Sequence, residues 1–202
     1  MWIGVDVSRA LRARRTGTER YAYEIVDHLL RLPAAPAHRW RLYSDAAPPP
    51  GLWRAPHVEW CVAPATRLWT HRTLGREVLR RPPDVLFVPS HVVPWRWPPR
   101  RLPPTVVTIH DLGYRRFSAA HTRRQRLYLE WSTRWSVRAA ARVIAISQAT
   151  ARDLTGDLGV APAKIRVIHE APTPLPAPDA EAVAALRAHY GLARPYALYV
   201  GT

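Results

Sequence analysis

The sequence predicts an α/β protein built on an open, doubly wound, mostly parallel twisted sheet with helices on both faces. Three observations predict it. Short β-branched runs alternate with longer amphipathic stretches, without any internal repeat. Runs such as Val85-Leu-Phe-Val88 and Val106-Val-Thr-Ile109 are apolar on both faces, as strands covered from above and below must be. A chain of 202 residues that is 48% hydrophobic and 22% charged has the composition of a globular domain able to bury a core.

The elements follow in order. The opening strand, Trp2–Val7, starts directly after Met1, so no basic leader with a cleavage site is expected ahead of it. A helix is predicted over Glu19–Leu32. Tyr21, Ile25, Leu29 and Leu32 form its apolar stripe, Thr16-x-x-Glu19 offers a capping box, and Pro33 stops it. Strands at Arg39–Tyr43 and Val58–Val62 flank the proline-rich loop Ala46–Gly51. A helix over Leu68–Leu79 leads to the strand Val85–Val88, and the proline-rich loop Pro94–Pro104 leads to the strand Thr105–Ile109.

The long helix Ala119–Ala141 carries Leu127, Trp131 and Trp135 on one row, with Arg134, Arg138 and Arg142 on the next. That pattern suits a core-packed helix with a solvated arginine edge; contact with an anionic membrane is the alternative. Strand Arg142–Ile146, helix Ser147–Leu158 and strand Lys164–Ile168 complete a domain over residues 1–170. Ala171-Pro-Thr-Pro-Leu-Pro-Ala-Pro178 then reads as an extended linker. With a helix at Asp179–Tyr190 it makes a connecting segment over 171–195, followed by a strand at Tyr196–Val200.

Composition excludes some functions and favours others. All but one of the 30 basic residues are arginine, the exception being Lys164, and they outweigh 15 acids to give a net charge of +15. Such an excess favours phosphorylated ligands, anionic headgroups or nucleic acid. The arginines are dispersed and accompany no nucleic-acid-binding motif, so no specific nucleic acid is expected as a partner. No apolar run reaches transmembrane length. The single cysteine, Cys61, excludes an internal disulfide and suits a reducing compartment. Metal-ligand spacings are lacking, so no metal is expected, and no nucleophile elbow points to a hydrolase.

In an open α/β sheet, ligands bind beyond the carboxyl ends of the strands. Four loops qualify. In Ser8–Thr18, Thr16, Gly17 and Thr18 bring backbone N–H groups to a helix N-terminus, where an anion is stabilised; helix capping alone is the competing role. Gly17 there permits a tight turn. Ser90 and His91 follow the strand at 85–88. His110 and Asp111 follow the strand at 105–109, where an imidazole can meet a sugar hydroxyl or phosphate, or Asp111 can cap the turn. Ser147 opens the helix after the strand at 142–146, as an N-cap or as part of an anion site.

Thr16-Gly-Thr-Glu-Arg-Tyr21, Asp84-Val-Leu-Phe-Val-Pro-Ser90, Val107-Thr-Ile-His-Asp-Leu112, Val143-Ile-Ala-Ile-Ser-Gln-Ala-Thr150 and Lys164-Ile-Arg-Val-Ile168 together resemble the family 4 glycosyltransferases of GT-B fold. The five motifs agree in order and spacing, and the resemblance covers almost the whole chain but only the amino-terminal half of that family's architecture. The resemblance implies a Rossmann-like amino-terminal domain, the acceptor side of a two-domain enzyme. It further implies that a nucleotide-sugar is co-substrate, that transfer retains configuration, and that no metal or other cofactor is needed. His110, with Asp111, would act at the transferred sugar; Thr16, Gly17, Thr18 and Ser147 would meet donor phosphate or sugar; Ser90 and His91 would line the acceptor-side cleft. Many relatives carry two glycines in the first loop, where this chain has Gly17 followed by Thr18 and Glu19.

The functional expectation is therefore a hexosyltransferase of polysaccharide biosynthesis. Its acceptor would be a glycan, a lipid-linked sugar or a polysaccharide. It would act in the cytoplasm or peripherally at the inner face of the membrane, with an anionic membrane surface as a further partner. Residues 196–202 would open the donor-binding domain, and the 202 residues alone would be inactive. The alternatives are a non-catalytic domain binding glycan or an anionic surface, and one subunit of a split glycosyltransferase.

Overall fold

A computed structural model describes residues 1–64, 68–117, 121–172 and 177–199. The chain divides into one unit over Met1–Glu170 and a second over Ala171–Thr202. In the first, seven strands form a single sheet: β1 (Trp2–Asp6), β2 (Arg39–Ser44), β3 (Val58–Val62), β4 (Val85–Val88), β5 (Thr105–Ile109), β6 (Arg142–Ala145) and β7 (Ile165–Val167). Their order across the sheet is β3-β2-β1-β4-β5-β6-β7, and every neighbouring pair is parallel. The chain returns past β1 to lay down β4, so the order reverses between those two strands. That switch point opens a crevice at the carboxyl edge of the sheet.

Both faces are covered, which explains the near-continuous apolar runs. On β4, Leu86 and Val88 join one core with Val78, Val137 and Leu154, while Phe87 points into the other with Val5, Trp40, Leu42, Ala22 and Val26. Gly4 of β1 has a packing reason: a Cβ there would lie 2.8 Å from Pro83 and 3.0 Å from the Tyr43 ring.

The helices are α1 (Gly17–Arg31), α2 (Gly75–Arg80), α3 (Gly113–Arg116), α4 (Arg123–Ala139) and α5 (Gln148–Leu158). At the start of α1 the Thr16 backbone N–H donates to the Glu19 carboxylate at 3.2 Å, the capping box the spacing implies. Its buried face is set by Ala22 and Val26, one position on from the expected stripe, and Leu32 lies exposed beyond the helix end. α5 starts at Ser147, whose Oγ accepts the Thr150 N–H at 3.0 Å, and ends at Gly159, left-handed with φ 66°.

Two helices depart from expectation. The stretch Leu68–Leu79 is a π turn over Thr70–Leu74 running into α2. Arg96 explains the split: its guanidinium donates to the His71 and Arg72 carbonyls and fills the space where a Cβ on Gly75 would sit. The second departure is α4, capped by Thr122, whose Oγ1 accepts the Gln125 N–H at 3.3 Å. Ser132, Thr133, Ser136, Val137 and Trp135 are its buried residues, whereas Leu127 and Trp131 of the expected core row are exposed. α3 precedes it as a separate short turn; residues 119 and 120 of the expected helix lie outside the described residues.

The second unit contains α6 (Ala180–His189), N-capped by Asp179, with none of its residues buried. Tyr196–Tyr199 join no strand ladder, so the strand expected at Tyr196–Val200 is not formed there, and Val200 lies outside the described residues.

Candidate functional site

Because all strands run the same way, the four loops singled out from the sequence emerge at one edge of the sheet. They are not equally close. His110, at the end of β5, is the centre of a tight group and only 7% exposed. Its backbone N–H donates to Nε2 of His91 at 2.9 Å, and the two rings stack at 5.1 Å. Its backbone carbonyl accepts the Thr150 hydroxyl at 2.9 Å. Tyr21 of α1 presents its ring edge-on at 4.8 Å and bonds Thr108 through its hydroxyl at 3.2 Å. Motifs far apart in sequence therefore meet at one imidazole.

The His110 ring has an acceptor on each nitrogen. Nε2 lies 3.1 Å from the Pro89 carbonyl, which can only accept, so that nitrogen carries a proton. Nδ1 lies within hydrogen-bond distance of Glu170, 2.8 Å from its Oε1. Glu170 is the more solvent-accessible partner, its side chain 40% exposed against 8% for His110. A ligand reaching the imidazole nitrogen from solvent therefore displaces or engages Glu170 first.

His91 has a different task. Its backbone is left-handed, φ 50°, and its N–H donates to the Thr108 carbonyl at 3.2 Å, which folds the loop back over β5. Burial of the ring, reinforced by the neighbouring His110, lowers its pKa to about 4. The hydrogen bond agrees, because Nε2 accepts and so must be unprotonated. Ser90 is half-buried beside it, its carbonyl accepting the Val92 N–H at 2.6 Å.

Asp111 caps α3, its Oδ1 accepting the Gly113 N–H at 2.7 Å, and its charge is felt at His91. Ser147 joins indirectly: its Oγ sits 2.9 Å from the Thr150 hydroxyl, which in turn holds the His110 carbonyl.

The first loop supplies cationic surroundings. Thr16 and Gly17 are exposed at the start of α1, and the N–H groups of Gly17 and Thr18 have no acceptor among the described residues. Gly17 makes no tight turn, contrary to expectation: it is the first residue of the helix, and a Cβ there would meet nothing within 4 Å. Arg9 approaches Glu19 at 3.6 Å, and Arg12 pairs with buried Asp45 at 2.6 Å. The Thr16 hydroxyl beside Glu19 holds that carboxyl below its ordinary pKa. Among the described residues no group of three or more His, Cys, Asp or Glu is placed to hold a metal ion.

Two participants escaped the sequence reading. Tyr21 stands in the sequence as part of the helix stripe and at the end of the first motif, without a role at the site. Glu170 follows β7, and the loops after β1, β4, β5 and β6 were considered but not that one; a carboxylate at a strand's carboxyl end was the available signal.

A parallel sheet with helices on both faces, whose strand order reverses beside the loops that hold the buried imidazole, defines a Rossmann-like domain. The model of the family described as Glycosyltransferase Family 4 matches residues 15–171, and the chain belongs to that family. The matched span contains the His110 group, α1, every strand but β1 and all five motifs, and it covers less of the chain than the resemblance implies. No curated protein matches it. Membership supports a glycosyltransferase-type function. Among the described residues no helix is long and apolar enough to cross a membrane.

Proposed function

We propose that this is the acceptor-side domain of a retaining hexosyltransferase that moves sugar from a nucleotide-sugar to a glycan, lipid-linked sugar or polysaccharide acceptor. The observation that carries the reading is the group around His110, inside the family-matched span. An imidazole nitrogen paired with the partly exposed Glu170 can hand a hydrogen bond to a sugar hydroxyl without reorganising the core. The free N–H groups of Gly17 and Thr18, with basic residues of the same loop, suit the negative charge of a departing diphosphate, and this assignment needs no metal. Ser90 and His91 form the wall on the acceptor side. The setting is the cytoplasm, which the single free thiol suits.

One Rossmann-like unit offers one wall of such a cleft, so the 202 residues by themselves are proposed to bind acceptor without turning it over. The test is calorimetric and saturation-transfer titration of the chain with panels of nucleotide-sugars and glycan acceptors, alongside His110→Ala. The expected result is acceptor binding, weakened by the substitution, with no product formed. Robust transfer by this chain alone overturns the half-site assignment. Binding indifferent to His110→Ala overturns the site.

A further inference from the structure

Three large side chains of α4 face outward although Trp135 and Val137 of the same helix are buried. Leu127 is 71% exposed, and Tyr128 and Trp131 are each 45% exposed, while Ser132, Thr133 and Ser136 are buried. A surface helix normally turns such side chains inward and polar ones outward, and α4 departs from that at these positions. The outward surface continues past the helix. Trp131 lies 6.2 Å from Tyr128 and 5.5 Å from His71, and Nδ1 of His71 accepts the backbone N–H of Trp95 at 3.2 Å. Trp95 and Trp97, from the loop after β4, are 45% and 58% exposed, and the Arg138 guanidinium stands 5.7 Å over the Trp97 ring. Two elements thus contribute to one aromatic surface.

Its charge is one-sided. No Asp or Glu occurs between Val85 and His110, a stretch that carries Arg96, Arg100 and Arg101. α4 holds Glu130 as its one carboxylate, already paired with Arg115 and Arg134. Arg123, Arg124 and Arg126 form no ion pair among the described residues; the carboxylate nearest to them on the helix, Glu130, is engaged by Arg115 and Arg134. Arg115, Arg123 and Arg126 line a hollow of about 610 Å³ between α3 and α4 together with Tyr114, exposed Leu127 and Glu130, the last neutralised by its pairs with Arg115 and Arg134.

These features select the occupant. A neutral glycan offers hydroxyls that both donate and accept but carries no charge to balance unpaired arginines, whereas an anionic headgroup does. Stacked bases use parallel rings, whereas Trp131 meets Tyr128 at 38° and His71 at 68°. Protruding Trp, Tyr and Leu among unpaired arginines is the chemistry of a membrane interface, where rings sit at headgroup level and guanidinium groups meet phosphates. We propose that this face docks on a bilayer containing anionic phospholipid, with Leu127, Trp131 and Trp97 among the headgroups and a lipid phosphate in the Arg123–Arg126 hollow. The proposal stands apart from the sugar-transfer reading, since none of its residues belongs to the His110 group.

The test is flotation of the full chain with vesicles of phosphatidylcholine alone or mixed three to one with phosphatidylglycerol, with tryptophan emission recorded. Binding is expected only with phosphatidylglycerol, accompanied by a blue shift and weakened by salt. Arg124→Gln with Arg126→Gln should lower partitioning roughly tenfold or more. Leu127→Ser and Trp97→Ser should each lower it while leaving thermal unfolding unchanged; Leu127 is exposed enough that its loss does not threaten the fold. The control pair Arg54→Gln with Arg152→Gln removes the same charge elsewhere and should leave binding nearly intact. Absence of vesicle binding overturns the proposal, and so does an equal loss in the control pair. Serine variants that bind like wild type, with DNA displacing the vesicles, reduce the surface to generic charge and also overturn it. A lipid-free dimer that Leu127→Ser dissociates would make the face a self-association surface instead.

Discussion

His91 gives the site an acid limit that can be measured without any substrate. Its ring is neutral because Nε2 accepts the His110 N–H at 2.9 Å and because burial opposes charge. The folded-state pKa falls from 6.5 to about 4, with His110 and Arg9 deepening the shift and Asp111 opposing it. An unfolded chain therefore binds a proton that the folded chain refuses between those values. The stability from this residue is present above pH 6.5, declines as the pH drops, and is gone by about 4. At about 1.4 kcal/mol per tenfold change in proton affinity, the loss amounts to ~3 kcal/mol. Other groups titrate nearby: His71 is also lowered by burial, whereas Asp6 is raised by burial and acts in the opposite direction. A difference measurement removes them. His91→Gln offers an amide oxygen to the same N–H and does not titrate. Urea unfolding, followed by circular dichroism from pH 7.5 to 4, should show the wild type losing ~3 kcal/mol more than the variant. Parallel pH profiles for the two proteins would refute the argument, since they would mean that His91 protonates in place.

Three further outcomes follow from local geometry. Gly4→Ala places a methyl group 2.8 Å from Pro83 and should destabilise the chain by about 1–3 kcal/mol in urea unfolding, because a central strand cannot move aside. Gly17→Ala meets open space at the first position of α1 and should leave stability within ~0.5 kcal/mol of wild type, while weakening any ligand whose phosphate approaches the helix N-terminus; a clear loss of stability would point to a structural glycine. Glu170→Ala frees Nδ1 of His110 and, in a transfer assay of the assembled enzyme, should lower the rate roughly tenfold or more, with unfolding shifted by no more than ~1 kcal/mol because the carboxylate is partly exposed.

The strands were legible because a run apolar on both faces, four to six residues long, has few other places to go. Val58–Val62, Val85–Val88 and Thr105–Ile109 match residue for residue. What was not legible was set by residues distant in sequence. The π turn at Thr70–Leu74 depends on Arg96 satisfying the carbonyls that the wider turn releases, and no local propensity encodes that. α4 misled for a related reason. Trp131 and Trp135 look equivalent on a helical row, yet only Trp135 is buried, its Nε1 donating to the Pro94 carbonyl at 3.1 Å. Ser136, unremarkable in sequence, sits on the inner face and accepts the Val93 N–H at 3.0 Å. The loops of the site could be named from strand polarity alone. Their convergence on His110, and the part of Glu170 in it, needed the strand order.

That convergence bears on how the site works. A lone histidine on a loop keeps several rotamers, and choosing one on ligand binding costs conformational entropy. Here Tyr21, His91 and the Pro89 carbonyl hold the His110 ring, and Thr150 holds its backbone, so the imidazole is ordered by the fold itself. Those contacts come from α1, the loop after β4, and α5, on three separate crossovers of the sheet. The arrangement leaves Glu170 as the adjustable member, at the end of the first unit and the most exposed of the ring's partners. A rigid imidazole with one displaceable carboxylate favours a ligand that brings its own hydrogen-bonding oxygen to Nδ1, such as a hydroxyl or a phosphate. Preorganisation of that kind stabilises developing charge without reorganisation during the reaction, the condition under which electrostatic catalysis is most effective.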